Sequence, residues 1–326
     1  MSHSLLRRFA SGVVTLLLLT FATFAAISIV PGDQLTAVIQ AEGRGVIRDA
    51  ERTRLLSEFG MDRPWLVRYG IWVAHVIQGD LGTSWRSGRA VRSEVRARLE
   101  ATLQLNLAAL ALLVISGLPL GWYAARHAGH WPDHSLSIAL LILYAAPGFW
   151  LALLLQQTFA VHWHLVPLFG YSEFAVDSLA WLQHLMLPAV CLALHGLSFL
   201  TRFVRANALS GLTSAAHRTG RAAGMSSSRL FVQHAVRPSL LPLATWLGWV
   251  VPGLITGSVL IEWIFAWPGL GNFYVDSLVD RDVPCVLGLT LLGGVATLLG
   301  SWLADQLSTL SDRRAELDTT GRRGAR

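Results

Sequence analysis

Six long apolar runs alternate with polar stretches along the chain, at Phe9 to Val30, Ala101 to Ala124, Ser135 to Val161, Leu182 to Phe203, Leu240 to Ile261 and Pro284 to Leu307. Each offers the roughly 20 residues that an α-helix needs to cross the hydrocarbon of a bilayer. The first follows Arg7 and Arg8, as a secretory signal would, but it is too long for a signal's apolar region and lacks a clear cleavage site. The pattern therefore predicts an all-α polytopic membrane protein with six transmembrane helices. Between the first two runs, residues 31–98 are polar, and Arg48 to Phe59 and Pro64 to Gln78 read as short amphipathic helices separated by Gly60-Met61-Asp62-Arg63-Pro64. The expected organisation is a first helix over 1–30, a small external domain over 31–98, a transmembrane core over 99–310 and a tail over 311–326. The tail mixes five arginines with Asp312, Glu316 and Asp318 and has too few apolar residues to fold alone, so disorder is expected there.

Charge sets the orientation. Arginine accumulates on the cytoplasmic side of short loops. The stretch from Ser210 to Thr245 carries Arg218, Arg221, Arg229 and Arg237 without one acid, and the short loop from Arg126 to His134 is also basic. Both are expected in the cytoplasm, with both termini. The eleven arginines of residues 31–98 do not oppose this, because long loops cross largely regardless of charge. Composition agrees: with 53% hydrophobic and 14% charged residues and a mean hydropathy of +0.49, the chain is too apolar for a soluble protein of its size. All 26 basic residues are arginine, but they lie between the spans and form no basic domain for nucleic acid. Cys191 and Cys285 fall in apolar segments and read as buried packing.

Candidate chemistry is sparse. A chain without lysine cannot hold a Gly-x-x-x-x-Gly-Lys-Ser/Thr phosphate loop, so it carries no such ATP site of its own. The centres of the spans lack the carboxylates from which proton relays are built. His195 is the ionisable residue there, read as a neutral imidazole bonded to a neighbouring helix or, alternatively, as a polar position in a pore. Ser198, three residues on, gives no oriented third group, so no catalytic site is expected. His127, His130 and His134 could be read as metal ligands, but a solvated loop accounts for them without a second shell, and no metal site is expected. His162 and His164 flank Trp163 at a membrane edge, where the tryptophan reads as an anchor. Residues 214–223 read as a short helix that Gly224 can terminate, followed by Ser226, Ser227 and Ser228 as N-caps for a second. Ala215, Thr219 and Ala222 then share one face, and Arg218 and Arg221 another. This is either a docking surface or a solvated basic loop. Glu262 to Asn272 breaks a helix near the external edge, as an aromatic interfacial turn or as the rim of a path.

The ordered motifs carry a resemblance. Arg218-Thr219-Gly220-Arg221-Ala222-Ala223-Gly224, with His234-Ala235-Val236-Arg237-Pro238 after it, resembles the coupling loop of ABC importer permeases of the dipeptide, oligopeptide and nickel group. Pro31-Gly32-Asp33, Gly79-Asp80-Leu81-Gly82-Thr83-Ser84, Trp267-Pro268-Gly269-Leu270-Gly271-Asn272 and Arg281-Asp282-Val283-Pro284 resemble stretches at matching places. Gly220 stands where the family usually has alanine. The resemblance implies the type I importer fold in the inner membrane, with the loop over 203–237 docking on an ATPase subunit through Ala215, Arg218, Thr219, Gly220, Arg221, Ala222 and Gly224. It implies an external gate or binding-protein contact at Glu262, Trp267, Pro268, Gly269 and Gly271. It also implies a homologous second permease, two ATPase subunits that hold ATP and Mg, and an external solute-binding protein. Short peptides are the first cargo expected, and nickel or a metal chelate the second. A secondary transporter or channel acting alone is the alternative.

Overall fold

The computed structural model describes residues 2–29, 49–58, 60–240, 242–243, 246, 250, 253 and 258–323. Among the described residues the chain is helical, with an isolated bridge between Thr83 and Ala90. The helices are α1 (Ser2–Ile29), α2 (Asp49–Glu58), α3 (Trp65–Ile77), α4 (Val91–Arg126), α5 (Trp131–Ala145), α6 (Gly148–Leu155), α7 (Ser178–Leu212), α8 (Ala215–Ala222), α9 (Ser227–Phe231), α10 (Val259–Ile264), α11 (Leu270–Val279) and α12 (Val283–Arg323). Parts of α1, α4, α7 and α12 are long and apolar enough to cross a membrane. The fifth expected span, Leu240 to Ile261, lies mostly outside the described residues, as does Pro31-Gly32-Asp33.

Two compact units divide the chain. In the first, α1 and α12 run antiparallel and approach closely: a Cβ on Gly294 would meet Leu16 Cδ2 at 2.5 Å, and one on Gly12 would meet Leu298 Cδ1 at 3.2 Å. Small residues allow such contact between helices in lipid, where no hydrophobic force separates helix from solvent. At the other end of this pair, Phe24, Trp85, Val283 and Leu287 form a buried core. The amphipathic helix expected from Pro64 is α3, and it docks on α1. Tyr69 Oη donates to the Leu17 carbonyl at 2.9 Å, and its ring meets Phe21 edge-on.

Asp282 organises a second junction of this unit. It precedes α12, its carboxylate accepts from Ser84 Oγ at 2.6 Å, and its second oxygen lies 3.4 Å from the Cys285 amide in the first turn. Arg86 pairs with the neighbouring Asp280. The loop that starts at Gly79 is thereby tied to the start of the last span. Asp282→Ala is expected to cost about 2–3 kcal/mol, because it removes a helix cap and strands the buried Ser84 hydroxyl. Asp282→Asn should lose less, since it keeps an acceptor; thermal unfolding of the solubilised chain measures both.

In the second unit, α4 and α7 run parallel. Gly117 faces Leu200, and a Cβ on Gly121 would fall 2.6 Å from Val204 Cβ. Parallel helices need the chain between them to return across the membrane, and α5 and α6 do so. Asp133 meets Arg205, Ser198 Oγ donates to the Leu140 carbonyl, and Gly148 lies beside His195, so this pair climbs α7 in the opposite direction. The expected span Ser135 to Val161 is not one straight helix. It bends by 101° at Ala146-Pro147, because proline pushes the residue before it out of the helical region, and Ala146 sits at ψ 129°. The last helix, α12, continues to Arg323. From Ser301 to Thr320 no glycine or proline interrupts a run containing leucine, alanine, arginine and glutamate, all good helix formers.

Candidate functional site

The basic loop folds as its capping residues dictate. Ser214 Oγ accepts from the His217 amide at 3.2 Å and starts α8. At its end Gly224 takes φ +78°, and the chain turns with the Gly224 amide on the Arg221 carbonyl and the Met225 amide on the Gly220 carbonyl. This is the glycine-dependent stop that closes a helix by satisfying its last carbonyls. Ser226 occupies the cap position of α9, although its side chain makes no capping bond.

Ala215, Arg218, Thr219, Arg221, Ala222 and Gly224 are all exposed. Gly220 is only partly exposed. A Cβ there would come within 2.8 Å of the buried Leu230 side chain and 3.1 Å of Met225 Sδ, so the residue serves the packing of α8 on α9. His217 also turns inward, its ring edge-on to His234 at 5.7 Å. Arg218, Arg221 and Arg229 leave the loop as an exposed cationic face beside small side chains.

Below this pair of helices the packing is tight. Residues Val232–Val236 form a π-helical turn, and the backbone of α7 passes so close that a Cβ on Gly211 would fall 1.7 Å from the His234 carbonyl oxygen. Ala125, Ala208 and Ala235 form the core there, with Trp122 and Phe231 packed against it. Trp122 Nε1 donates to Ser239 Oγ at 2.9 Å, and the Arg126 guanidinium lies over the Phe231 ring. The loop between α4 and α5 is fixed to α7 by a two-pronged ion pair. Arg205 Nε and one terminal nitrogen each donate to Asp133 at 2.6 Å, and the Gly129 amide donates to the same carboxylate. In this loop His127 turns to a carbonyl of α4, 2.9 Å from Tyr123 O, and His130 to one of the loop, 3.1 Å from Ala128 O. Among the described residues no three His, Cys, Asp or Glu side chains converge on a metal position.

At the turn after α10, Glu262 and Trp267 are fully buried, as are Gly269 and Gly271, whereas Trp263, Ala266 and Pro268 are exposed. Within this chain the first two pack into the turn. Here Ala266, at φ +49°, takes the position that glycine fills in α8, with the Trp267 amide on the Glu262 carbonyl. An alanine held there costs of order 1–2 kcal/mol, which the buried Trp267 ring, edge-on to Tyr171 at 4.8 Å, helps to offset. Gln156, at the start of a π-helical segment and nearly buried, donates to Leu168 O at 2.9 Å. A glutamine within the apolar run from Ser135 to Val161 is a polar signal legible in the sequence.

His195 lies beside Gly148, its Nδ1 3.7 Å from where a Cβ on that glycine would sit. It is exposed on α7, on a stripe with Phe199 and Arg202, and Arg202 lies over the Tyr144 ring at 5.1 Å. The stripe follows the spacing of one helix face. Cys191 and Cys285 are both free and buried.

Comparison with known proteins completes the picture. The family described as "Binding-protein-dependent transport system inner membrane component" matches residues 117–317. The oligopeptide transport system permease protein AppB of Bacillus subtilis is 33% identical over 319 residues, which cover 97% of this chain and 100% of that protein. The dipeptide transport system permease protein DppB of Escherichia coli is 33% identical over 330 residues, covering 94% and 96%.

Proposed function

Because this chain belongs to the binding-protein-dependent transport system inner membrane components, as an all-α, multi-pass permease of the peptide-carrying ABC importers, we propose that it forms half of an ATP-driven path for short peptides. A homologous second permease supplies the other half, and a solute-binding protein outside delivers the cargo. ATP and Mg are held by two separate ATPase subunits. Peptide leads over nickel or a metal chelate because the relatives reported above are named for oligopeptides and dipeptides.

The observation that carries this reading is α8: a capped helix whose Arg218 and Arg221 face outward beside Ala215, Thr219 and Ala222, on a tightly packed base. Small side chains let a partner approach closely, and the arginines offer charge-assisted hydrogen bonds to it. The antiparallel α1 and α12 and the parallel α4 and α7 support a topology with both termini and α8 in the cytoplasm and residues 31–98 outside. In this topology, ATP hydrolysis next door biases two arrangements of the spans through the partner's different affinity for each.

Two substitutions test the docking helix. Gly224→Val should leave the subunit in the membrane but lower peptide uptake about tenfold, since a β-branched residue resists the left-handed turn by more than 1 kcal/mol. Arg221→Glu should weaken ATPase association by reversing charge on the exposed face. Normal uptake by both, at normal membrane levels, would leave α8 a solvated loop.

A further inference from the structure

Helix α3 stands against the span of the first unit that the bilayer surrounds most. The apolar stretch of α1 is 17% buried, the lowest share among the four spans, with 28% in α4, 44% in α12 and 50% in α7. It leaves most of its surface to lipid, and Val13, Val14 and Leu18 are exposed on it. The contacts between α1 and α12 fix how deep each residue lies. Gly12 meets Leu298, Gly294 meets Leu16, and Phe24 shares a core with Leu287, so the antiparallel register brings Ile29 level with Val283, where α12 begins. At that level both spans leave the hydrocarbon. The rings of Trp65 and Tyr69 pack on Phe21 and Phe24, with centroids between 5.3 and 6.5 Å apart. Phe24 stands five residues before Ile29 and Phe21 eight, which is about 8–12 Å along a helix. The Tyr69 hydroxyl goes deeper still, to the Leu17 carbonyl and Thr20 Oγ1, each at 2.9 Å. Half the hydrocarbon of a bilayer is about 15 Å thick, so α3 docks below the membrane surface and not above it.

The faces of α3 agree with that depth. At roughly 3.6 residues per turn, Leu66, Val67, Gly70, Ala74 and Ile77 fall within about 100° of arc, on the side turned away from Trp65, Tyr69 and Trp72. All five are exposed, and none carries a polar side chain. Arg68 and His75, seven residues apart, share a narrow line between these two faces, and the Arg68 guanidinium lies over the Phe24 and Trp85 rings. The helix thus has one polar edge to turn toward headgroups while its other sides stay apolar. No described residue covers the exposed face, and at this depth water does not reach it. We propose that α3 is embedded in the leaflet reached by the C-terminal end of α1, and that the acyl chains of that leaflet cover Leu66, Val67, Gly70, Ala74 and Ile77. This face continues the lipid-facing surface of α1. The embedded helix ties the segment between the first two spans to the bilayer, and with it the loop from Gly79 that Ser84 fastens to Asp282 at the head of α12.

Spin labels on the full chain, reconstituted into bilayers of palmitoyloleoylphosphatidylcholine and palmitoyloleoylphosphatidylglycerol, test the embedding. Nitroxides go on Val67→Cys and Ala74→Cys, two exposed positions where substitution leaves the packing intact. Their relaxation is read with oxygen, which concentrates among acyl chains, and with nickel ethylenediaminediacetate, which stays in water. Leu18→Cys, exposed at mid-span on α1, is the lipid reference, and Ser228→Cys, exposed on α9, the aqueous one. The unsubstituted chain, whose Cys191 and Cys285 are buried, gives the background. Oxygen should relax both α3 labels several-fold more than the nickel complex does, as at Leu18→Cys, and the ratio should invert at Ser228→Cys. Stronger relaxation by the nickel complex at both α3 positions would overturn the proposal and put the helix in water. Protection of both labels from both reagents would overturn it too, and would mean that a protein surface, such as a second copy of this chain, covers the face.

Discussion

Gly211→Ala is expected to cost the subunit its fold around α8, and with it nearly all transport. The added methyl would lie 1.7 Å from the His234 carbonyl oxygen and 2.9 Å from its carbon. Both are backbone atoms, so no side-chain rotation relieves the clash, and α7 must separate from the π-helical turn that supports α8 and α9. Overpacking a rigid site costs about 1–3 kcal/mol and occasionally more; a clash between two backbones belongs at the upper end. Gly70→Ala is the control. Nothing lies within 4 Å of a Cβ there, and alanine favours the helix by about 1 kcal/mol. Thermal unfolding of the solubilised subunits should show a large loss for Gly211→Ala and none for Gly70→Ala. Equal stabilities would mean that the α7 backbone does not pass where the fold puts it.

The second large effect belongs to Asp133. Its carboxylate is almost fully buried and takes two bonds from Arg205 and one from the Gly129 amide. Removing one member of a buried ion pair costs about 3–5 kcal/mol, because the other charge is left without compensation. The Arg205 side chain keeps 31% of its exposure, so the lower end, about 3 kcal/mol, is expected for Asp133→Ala. Combining it with Arg205→Met should recover much of the loss, since the stranded charge is then gone. A double variant no more stable than Asp133→Ala would show that the pair is not what fixes this loop.

The sequence was most legible where one residue decides a local geometry. Gly60, Gly79 and Gly224 each end a helix in the left-handed turn, and α2, α3 and α8 stop where these glycines stand. The same turn after α10 and α11 is filled by Ala266 and Arg281, at φ +49° and +55°. Neither residue type prefers that conformation, so nothing in the sequence marked it. Pro147 could have been read as a break, but the apolar run continued through it and periodicity alone made one span. Long-range pairings were illegible for a different reason. Asp133 and Arg205 lie 72 residues apart and Ser84 and Asp282 lie 198 apart, and a pattern of polar and apolar positions carries no term for which charge meets which. Gly220 and Gly211 show the same limit. Both are small residues on basic or polar segments, and only the neighbouring backbone and side chains reveal that one packs α8 inward and the other admits a crossing chain.

The central claim concerns where the energy comes from. Accumulating an uncharged solute tenfold needs about 1.4 kcal/mol per molecule, and a lysine-free chain has no phosphate-loop lysine with which to take it from ATP. The direct measurement is peptide accumulation in sealed vesicles that hold this permease with its second permease and ATPase subunits, ATP on the cytoplasmic face, and binding protein with peptide outside. Accumulation should require ATP, the ATPase subunits and the binding protein together, and should persist when a proton ionophore is added. Accumulation that survives removal of the ATPase subunits but collapses with the ionophore would contradict the account and identify a secondary transporter.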